Sequence, residues 1–270
     1  MSGTGPVRAL CEVIASRRIG SYHALTVEAP EIAARTEPGQ FVSIAVEGDG
    51  MLLRRPFSVC AVRDVAGTVD IAFEANGRGT VWLAGRARHD VLDIVGSLGR
   101  PFSLPRQPVG CLLVGGGYGA APLLFLASRL RRRELWVGMI LGAATRRRLF
   151  NAVTARRFSH ATYLVTEDGS AGTKGRVTDV MDRVLDARAI GVVYACGPMP
   201  MLAAVSKIAT ERGIPVQVAV EEAMACGVGV CWTCVVPYLS GGEVRNIRAC
   251  VEGPCLNGSQ VLWDRIGLAS

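Results

Sequence analysis

The cysteines near the carboxyl terminus constrain this chain more than any other feature of its sequence. Five of the nine lie between positions 226 and 255. Cys226, Cys231 and Cys234 follow a C-x4-C-x2-C pattern, and Cys250 and Cys255 come after a longer interval. Three closely spaced cysteines with a distant fourth are the plant-type arrangement for a [2Fe–2S] cluster. The tail is therefore predicted to fold around such a cluster.

Two alternatives remain open for the tail. Four thiolates also suit structural zinc, although zinc sites usually show two short paired spacings and this stretch has a three-plus-one layout. A zinc-stabilised, non-catalytic redox sensor or binding module is therefore the competing hypothesis. Spacing alone does not decide between Cys250 and Cys255 as the fourth ligand. Gly227 and Gly229 fit a loop that turns tightly and aims N–H groups at sulfur.

The hydrophobic pattern divides the rest of the chain into two regions. Up to about residue 105, short alternating strands predict a small antiparallel barrel or sandwich, with strands at 9–14, 23–28, 40–46, 57–62, 69–74 and 91–94 and a short helix at 80–87. Apolar strands then alternate with helices, which indicates a parallel sheet covered on both faces. Its strands are expected at 111–114, 136–141, 162–166, 192–195 and 216–220, and its helices at 120–132, 177–185 and 199–212. We therefore expect a multidomain β plus α/β protein with domains 1–105, 106–220 and 221–270.

Two glycine-containing turns of the second region lie where a strand ends and a helix begins. They are Gly115-Gly116-Gly117-Tyr118-Gly119 with the following Pro122, and Cys196-Gly197-Pro198. Ligands of open parallel sheets bind at such strand ends, and glycines let the backbone approach phosphates. Together the two turns predict a nucleotide site, although the first does not match G-x-G-x-x-G strictly. In the barrel region, the stretch Arg54-Arg55-Pro56-Phe57-Ser58 offers a guanidinium for a phosphate, and the turn Gly77-Arg78-Gly79-Thr80 at a helix start is a second candidate phosphate contact.

Charge and composition exclude several classes of protein. The formal net charge is +7, but no nucleic-acid recognition motif accompanies the arginine clusters at 131–133 and 146–148. The uncharged window 109–127 contains Gly115, Gly116, Gly117, Gly119 and Pro122, which favours strand, turn and helix over a membrane span. The odd number of cysteines without a recognisable signal peptide argues against a disulfide scaffold. We therefore expect a cytoplasmic protein that binds neither nucleic acid nor membrane.

In combination, these motifs resemble the ferredoxin–NADP reductase superfamily, and within it the electron-transfer subunits of type B dihydroorotate dehydrogenases. The resemblance covers nearly the whole chain. The family's Arg-Pro-x-Ser flavin motif is matched by 55–58, its Gly-Thr pair by 79–80, its nicotinamide motifs by 115–119, 166–170 and 196–198, and its cluster signature by 221–234. The family's acidic-Gly-Pro turn follows Cys250, which selects Cys250 over Cys255. In departure from the family, Ser97 replaces a proline, Glu74 stands where relatives often have an arginine near FAD, and His89 and Met199 replace a glycine and an acidic residue.

The resemblance implies three cofactors. FAD would be held by Arg55, Pro56, Phe57, Ser58, Ala72, Phe73, Glu74, Gly79 and Thr80. NAD would be held by Gly115, Gly116, Gly117, Gly119, Pro122, Glu167, Asp168, Gly169, Cys196, Gly197 and Pro198, with Cys196 near the nicotinamide. The cluster would be held by Cys226, Cys231, Cys234 and Cys250.

The resemblance also implies a partner and a direction of electron flow. Electrons would pass from the FMN of a dihydroorotate dehydrogenase catalytic subunit, through the cluster and FAD, to NAD⁺ in de novo pyrimidine biosynthesis. Two copies of each subunit would form a heterotetramer. A flavin and iron–sulfur subunit of a hydrogenase or of a ferredoxin:NADP⁺ transhydrogenase is the alternative.

Overall fold

The structure is a computed structural model that describes residues 5–48 and 50–267. Its first region is a closed antiparallel barrel with the strand order β1-β2-β5-β4-β3-β6. Alternate residues of β6 are buried, as expected when one face of a strand points into a barrel. The strands are β1 (Val7–Ile19), β2 (Tyr22–Glu28), β3 (Phe41–Ile44), β4 (Arg55–Arg63), β5 (Thr68–Phe73) and β6 (Val91–Leu98), with the helices α1 (Pro30–Ala33) and α2 (Arg78–Ala84). The predicted six-stranded antiparallel barrel is confirmed.

The second region is a sheet of seven strands in the order β10-β9-β8-β7-β11-β12-β15. All neighbours in it are parallel except β12 and β15. Its strands are β7 (Gly110–Gly116), β8 (Val137–Ala143), β9 (Ala161–Thr166), β10 (Thr173–Lys174), β11 (Ile190–Cys196), β12 (Val216–Ala219) and β15 (Cys255–Asn257). The helices are α3 (Ala120–Arg132), α4 (Ala152–Phe158), α5 (Val177–Ala187) and α6 (Met199–Glu211). The predicted parallel sheet with helices is confirmed.

Helix α3 joins the two regions. It begins just after the glycine turn and ends in a basic last turn, where arginines interact favourably with the helix dipole. Leu123, Leu126 and Leu130 are fully buried in the core beneath the sheet, whereas Phe125 packs into the core of the barrel. The uncharged window of the sequence is therefore β7, the turn and a helix buried between two layers. No helix in the described part of the chain is long and apolar enough to cross a membrane.

The cysteine-rich tail leaves the sheet and returns to it. It forms a hairpin from β13 (Val235–Ser240) and β14 (Glu243–Arg248), and then β15 pairs antiparallel with β12 in the register Ala219↔Cys255. The backbone N–H of Val220 donates to Pro254 O at 3.0 Å, which ties the two ends of the excursion together. The tail therefore supplies both its own hairpin and the edge strand of the sheet.

Candidate functional site

A cavity of about 520 Å³ opens at the end of the barrel that faces the sheet. Its wall brings together all nine residues predicted to hold FAD, which come from β4, β5 and α2. The opposite wall comes from Tyr118, Gly119 and Pro122 and from the segment 220–224 that leads into the cysteine tail. The barrel, the glycine turn and the tail thus enclose one space.

The two adjacent arginines at the start of β4, Arg54 just before the strand and Arg55 as its first residue, have different surroundings. Arg54 donates to Asp93 Oδ1 at 2.9 Å and to the backbone oxygen of Ser43 at 3.2 Å, on the barrel wall. Hydrogen bonds from Arg8 and Arg54 hold the pKa of Asp93 well below its usual range. Arg55 instead lines the cavity, and its Nε lies 2.9 Å from the point where a Cβ on Gly79 would stand. Of these two, Arg55 is therefore the arginine that can meet an anionic ligand in the cavity, which Arg78 also lines.

A second cavity, of about 510 Å³, lies at the carboxyl ends of the parallel strands. Of the residues predicted to hold NAD, Gly116, Gly117, Pro198 and Glu167 line it. Gly119 and Pro122 line the first cavity instead, and Gly115, Asp168, Gly169, Cys196 and Gly197 line neither of the two. The predicted set is thus divided among the walls of both cavities, buried positions such as Cys196, and the exposed residues Asp168 and Gly169.

The two glycine turns pack against each other at this wall. A Cβ on Gly119 would lie 2.6 Å from Gly197 Cα, and one on Gly116 would lie 2.9 Å from Pro198 Cδ. Gly119 has φ −58° and ψ −16°, which any residue adopts, so the lack of space alone requires glycine. Cys196 is buried beside these turns, and burial raises the pKa of its thiol well above the usual value.

Three side chains line both cavities: Glu74, Tyr118 and Glu221. Sequence reasoning assigned no site role to Tyr118 or Glu221, although both lie inside quoted motifs. Glu221 is exposed where it faces the two cavities, and the partial burial of its carboxyl group raises its pKa to about 7. Burial likewise raises the pKa of Tyr118 to about 12. The junction therefore carries a carboxyl group that exchanges a proton near neutral pH and a phenol that stays protonated.

Glu74 has a partner that the sequence did not reveal. Arg148, which follows β8, donates from Nη2 to Glu74 Oε1 at 3.1 Å. The hydroxyl of Tyr22 donates to the backbone oxygen of Arg148 at 2.8 Å, which holds this segment against the barrel. Glu74, where relatives often have an arginine, therefore forms an ion pair that joins the barrel to the sheet.

The cysteine loop aims its backbone at sulfur. Cys226 Sγ accepts hydrogen bonds from the N–H groups of Val228 (3.4 Å), Val230 (3.3 Å) and Cys231 (3.4 Å). Gly227 and Gly229 have φ of 71° and 82°, a left-handed conformation that glycine adopts without strain. Such a loop stabilises negative charge on sulfur and fits an anionic cluster.

The cysteines of the tail lie in two pairs. The N–H of Cys231 reaches Cys226 Sγ, and the N–H of Cys250 reaches Cys234 Sγ at 3.4 Å. The Thr233 hydroxyl donates to Cys231 Sγ at 3.2 Å and is the main cause of a pKa lowered to about 6 there. Two pairs suit the two irons of a [2Fe–2S] cluster better than one zinc ion.

Cys255 lies apart from the two pairs. It begins β15, and its Sγ is 3.7 Å from the backbone oxygen of Gly39 in the barrel. Burial raises the pKa of its thiol well above the usual value, which is typical of an inert structural cysteine. The structure thus places Cys250, and not Cys255, beside Cys234.

Comparison with known proteins identifies the tail. The family model for the iron–sulfur cluster binding domain of dihydroorotate dehydrogenase B matches residues 221–262. The chain is 39% identical over 254 residues to the dihydroorotate dehydrogenase B (NAD(+)) electron transfer subunit of Geobacillus thermodenitrificans, covering 93% of this chain and 96% of that protein. It is 37% identical over 238 residues to the subunit of the same name from Desulforamulus reducens, covering 88% and 91%.

Solved structures agree with this placement. The chain superposes with a TM-score of 0.84 and 31% identity on a chain of an NADH-dependent reduced ferredoxin–NADP oxidoreductase, covering 98% of this chain and 93% of that one. The ferredoxin NADP⁺ reductase of Neisseria gonorrhoeae shares the fold, with a TM-score of 0.61 and 16% identity over 80% of this chain and 93% of that one. The predicted superfamily and the predicted iron–sulfur domain are therefore confirmed.

Proposed function

The chain belongs to the family of dihydroorotate dehydrogenase B electron transfer subunits, and from this premise we propose that it carries electrons from a dihydroorotate-oxidising subunit to NAD⁺. Its relatives are named as subunits, so an electron-donating partner is part of the proposal. This makes the chain one component of de novo pyrimidine biosynthesis.

One observation carries the proposal: the three predicted cofactor sites adjoin. The first cavity shares Glu74, Tyr118 and Glu221 with the second. Along the chain, Met224 still lines the first cavity, and Cys226 begins the cysteine loop two residues later. The barrel cavity therefore lies between the nucleotide cavity and the cysteines, as a relay with the flavin in the middle requires.

We assign the cofactors on this arrangement. The first cavity would hold FAD, with Arg55 against its phosphates and Ser58 hydrogen-bonded to its ring, and the second would hold NAD with its pyrophosphate over Gly116 and Gly117. Cys226, Cys231, Cys234 and Cys250 would hold the [2Fe–2S] cluster. When bound, the flavin can exchange a hydride with the nicotinamide and single electrons with the cluster.

The residues of the chain mainly position these groups. Glu221 and Tyr118 occupy the junction, where they would exclude water and hold the reacting rings together. Cys196 would support the nicotinamide end from behind the wall, since it lines neither cavity. We propose functional domains at 1–105, 106–220 and 221–270, with β15 as a structural link from the third to the second.

The partner would be an FMN-containing barrel protein, with two copies of each subunit in the complex. A dihydroorotate-oxidising barrel has about 250 residues of its own, and the regions of this chain are already assigned to other roles. We also propose a cytoplasmic location, because the five cysteines outside the cluster set are not disulfide-bonded and a reducing compartment keeps such thiols free.

The test uses the purified chain with its cofactors, alone and co-expressed with its partner. Alone, it should reduce ferricyanide with NADH and leave dihydroorotate unchanged. With the FMN-containing subunit, it should couple dihydroorotate oxidation to NAD⁺ reduction. Turnover of dihydroorotate by the isolated chain would refute the division of labour, and a colourless protein with bound zinc would refute the electron-transfer role.

A second candidate function is favoured by one comparison. The match to the ferredoxin–NADP oxidoreductase chain covers nearly all of both proteins. In that case the chain would exchange electrons with a ferredoxin:NADP⁺ transhydrogenase partner. Pull-down of the tagged chain from its own cells decides, because a dihydroorotate-oxidising partner supports the first function and a ferredoxin-dependent one the second.

A further inference from the structure

A third cavity, of about 550 Å³, lies on the far side of the interface between the barrel and helices α3 and α4. It shares no lining residue with either of the other two cavities. Its walls come from β1, β2, β4 and β5 of the barrel and from both helices, so a ligand in it would contact both regions of the protein. Nothing in the proposed electron relay uses it.

The lining of this cavity is strongly basic. Its charged residues are one aspartate, Asp70, and five arginines, Arg17, Arg63, Arg131, Arg132 and Arg157. Asp70 is buried and already saturated: Arg63 binds it through two hydrogen bonds of 2.9 Å, Arg17 lies at 3.3 Å, and the Thr26 hydroxyl donates at 2.7 Å. Arg63 and Arg17 therefore neutralise the Asp70 carboxylate, and the cavity keeps a net positive charge.

The surplus arises from the helices. Arg157 of α4 stacks on Phe158 with its guanidinium 5.7 Å from the ring centre, and Arg132 of α3 holds only a long contact of 3.5 Å to Asp64. Asp64 is bound at 3.1 Å by both ends of Arg129, so it is shared. Arg131 contacts the His160 ring. The pKa of His160 is lowered, mainly by burial and secondly by the positive charge of Arg131. The positive potential of the cavity therefore comes from the arginines of the two helices.

The floor of the cavity is apolar. Leu124, Phe125 and Phe150 are buried and line it, together with Ala24 of β2. Guanidinium groups around an apolar floor match a ligand with two parts, an anionic head and a hydrophobic body. Arginine forks bind phosphate oxygens through paired hydrogen bonds, and several of them favour a doubly charged head over a single carboxylate.

We propose that this cavity binds a small organic phosphate, with the phosphate against Arg131, Arg132 and Arg157 and the organic part on the Phe125–Phe150 floor. The site is separate from the dinucleotide cavity and bridges the barrel to α3 and α4. An occupant would hold the two regions together without taking part in electron transfer.

The test is calorimetric titration of the full chain, with its cofactors bound, in low-salt buffer free of phosphate. Phenyl phosphate is the probe and inorganic phosphate the comparison. One molecule of phenyl phosphate should bind per chain, about tenfold more tightly than inorganic phosphate, because the ring buries apolar surface. Saturating NADH should not displace it.

Two neighbouring arginines provide a matched pair of variants. Arg157→Gln removes a lining guanidinium and should weaken phenyl phosphate about tenfold, the effect of one charge-assisted hydrogen bond. Arg156→Gln makes the same change of charge on the same helix outside the cavity, and should change the affinity less than about twofold, as expected for a screened charge. Both variants should keep the NADH–ferricyanide activity.

Three results would overturn the proposal. Absence of binding at millimolar phenyl phosphate would remove the site. Equal weakening in Arg156→Gln and Arg157→Gln would show attraction to net charge alone. Displacement by NADH would place the probe in the second cavity.

Discussion

Replacing Gly119 by alanine tests whether the two packed glycine turns form the nucleotide site. The added Cβ would lie 2.6 Å from Gly197 Cα, 2.8 Å from Gly197 N and 2.9 Å from Glu221 Oε1. Carbon atoms in ordinary contact are about 3.5 Å apart or more, so the turns must separate by roughly 1 Å. A misplacement of about 1 Å between reacting groups lowers rates by about 100-fold.

The assay is steady-state oxidation of NADH with ferricyanide by the isolated chain. We expect kcat/KM for NADH to fall by about 100-fold in Gly119→Ala, since the shift moves both the nucleotide wall and the junction carboxylate. Flavin and iron content are measured in parallel, because Gly119 also lines the first cavity. Loss of FAD would locate the damage on the flavin side of the turn.

Gly85→Ala is the matched control. Gly85 is exposed at the end of α2, has φ −81°, and its added Cβ would come no closer than 3.4 Å to any neighbour. It should behave like the unaltered protein. Full NADH activity in Gly119→Ala, with normal cofactor content, would refute the view that the packed turns set the position of the nucleotide.

Other predictions concern the tail, the junction and the core. Cys250→Ser should lose the reddish [2Fe–2S] absorption and its iron, whereas Cys255→Ser should keep both; the reverse result would exchange the ligand assignments. The raised pKa of Glu221 means that the folded state loses stability as pH rises from about 4.5 to about 7, because the folded state holds this proton more tightly than the unfolded state does. Glu221→Gln should therefore be more stable than the parent at pH 8, by about 1 kcal/mol after allowance for its open side, and equal to it near pH 4.5; urea unfolding at both pH values measures this. Tyr194→Phe removes the 2.8 Å hydrogen bond from the buried Tyr194 to Ser103 O and should lower the free energy of unfolding by about 1 kcal/mol. An unchanged melting temperature would contradict this prediction.

Sequence patterns predicted the elements that have a strong period and clear ends. Helix α3 was expected at 120–132 and spans those residues, because an apolar run lies between a glycine turn and an arginine cluster. Helix α2, expected at 80–87, begins earlier at Arg78 and ends before Gly85. Short elements escaped prediction: α4 has seven residues, and β15 has three, too few for a period to appear.

The sequence predicted which residues line the flavin cavity better than it predicted which side chains contact each other. All nine FAD candidates line one cavity, since motif residues on β4, β5 and α2 meet at one end of the barrel. Arg54 and Arg55 have different surroundings because neighbouring side chains of a strand point to opposite faces of the sheet. The sequence alone does not show which of the two faces the cavity. The junction role of Glu221 arises because two cavities meet beside it, and the pair Glu74–Arg148 joins residues far apart in the chain. Such features follow from tertiary packing.

The register between β12 and β15 places the two ends of the cysteine segment side by side in the sheet. Ala219 and Cys255 are direct partners across the sheet, so the chain leaves and re-enters at one rung. Facing residues of an antiparallel pair have Cα atoms only about 5 Å apart. The excursion 220–254 therefore begins and ends at one rung, so the sheet closes around the cysteine segment while Val236 and Ala249 of that segment pack into the core of the sheet. A disturbance of the cysteine loop is thus transmitted to the core through these two contacts, whereas the pairing of β12 with β15 is preserved.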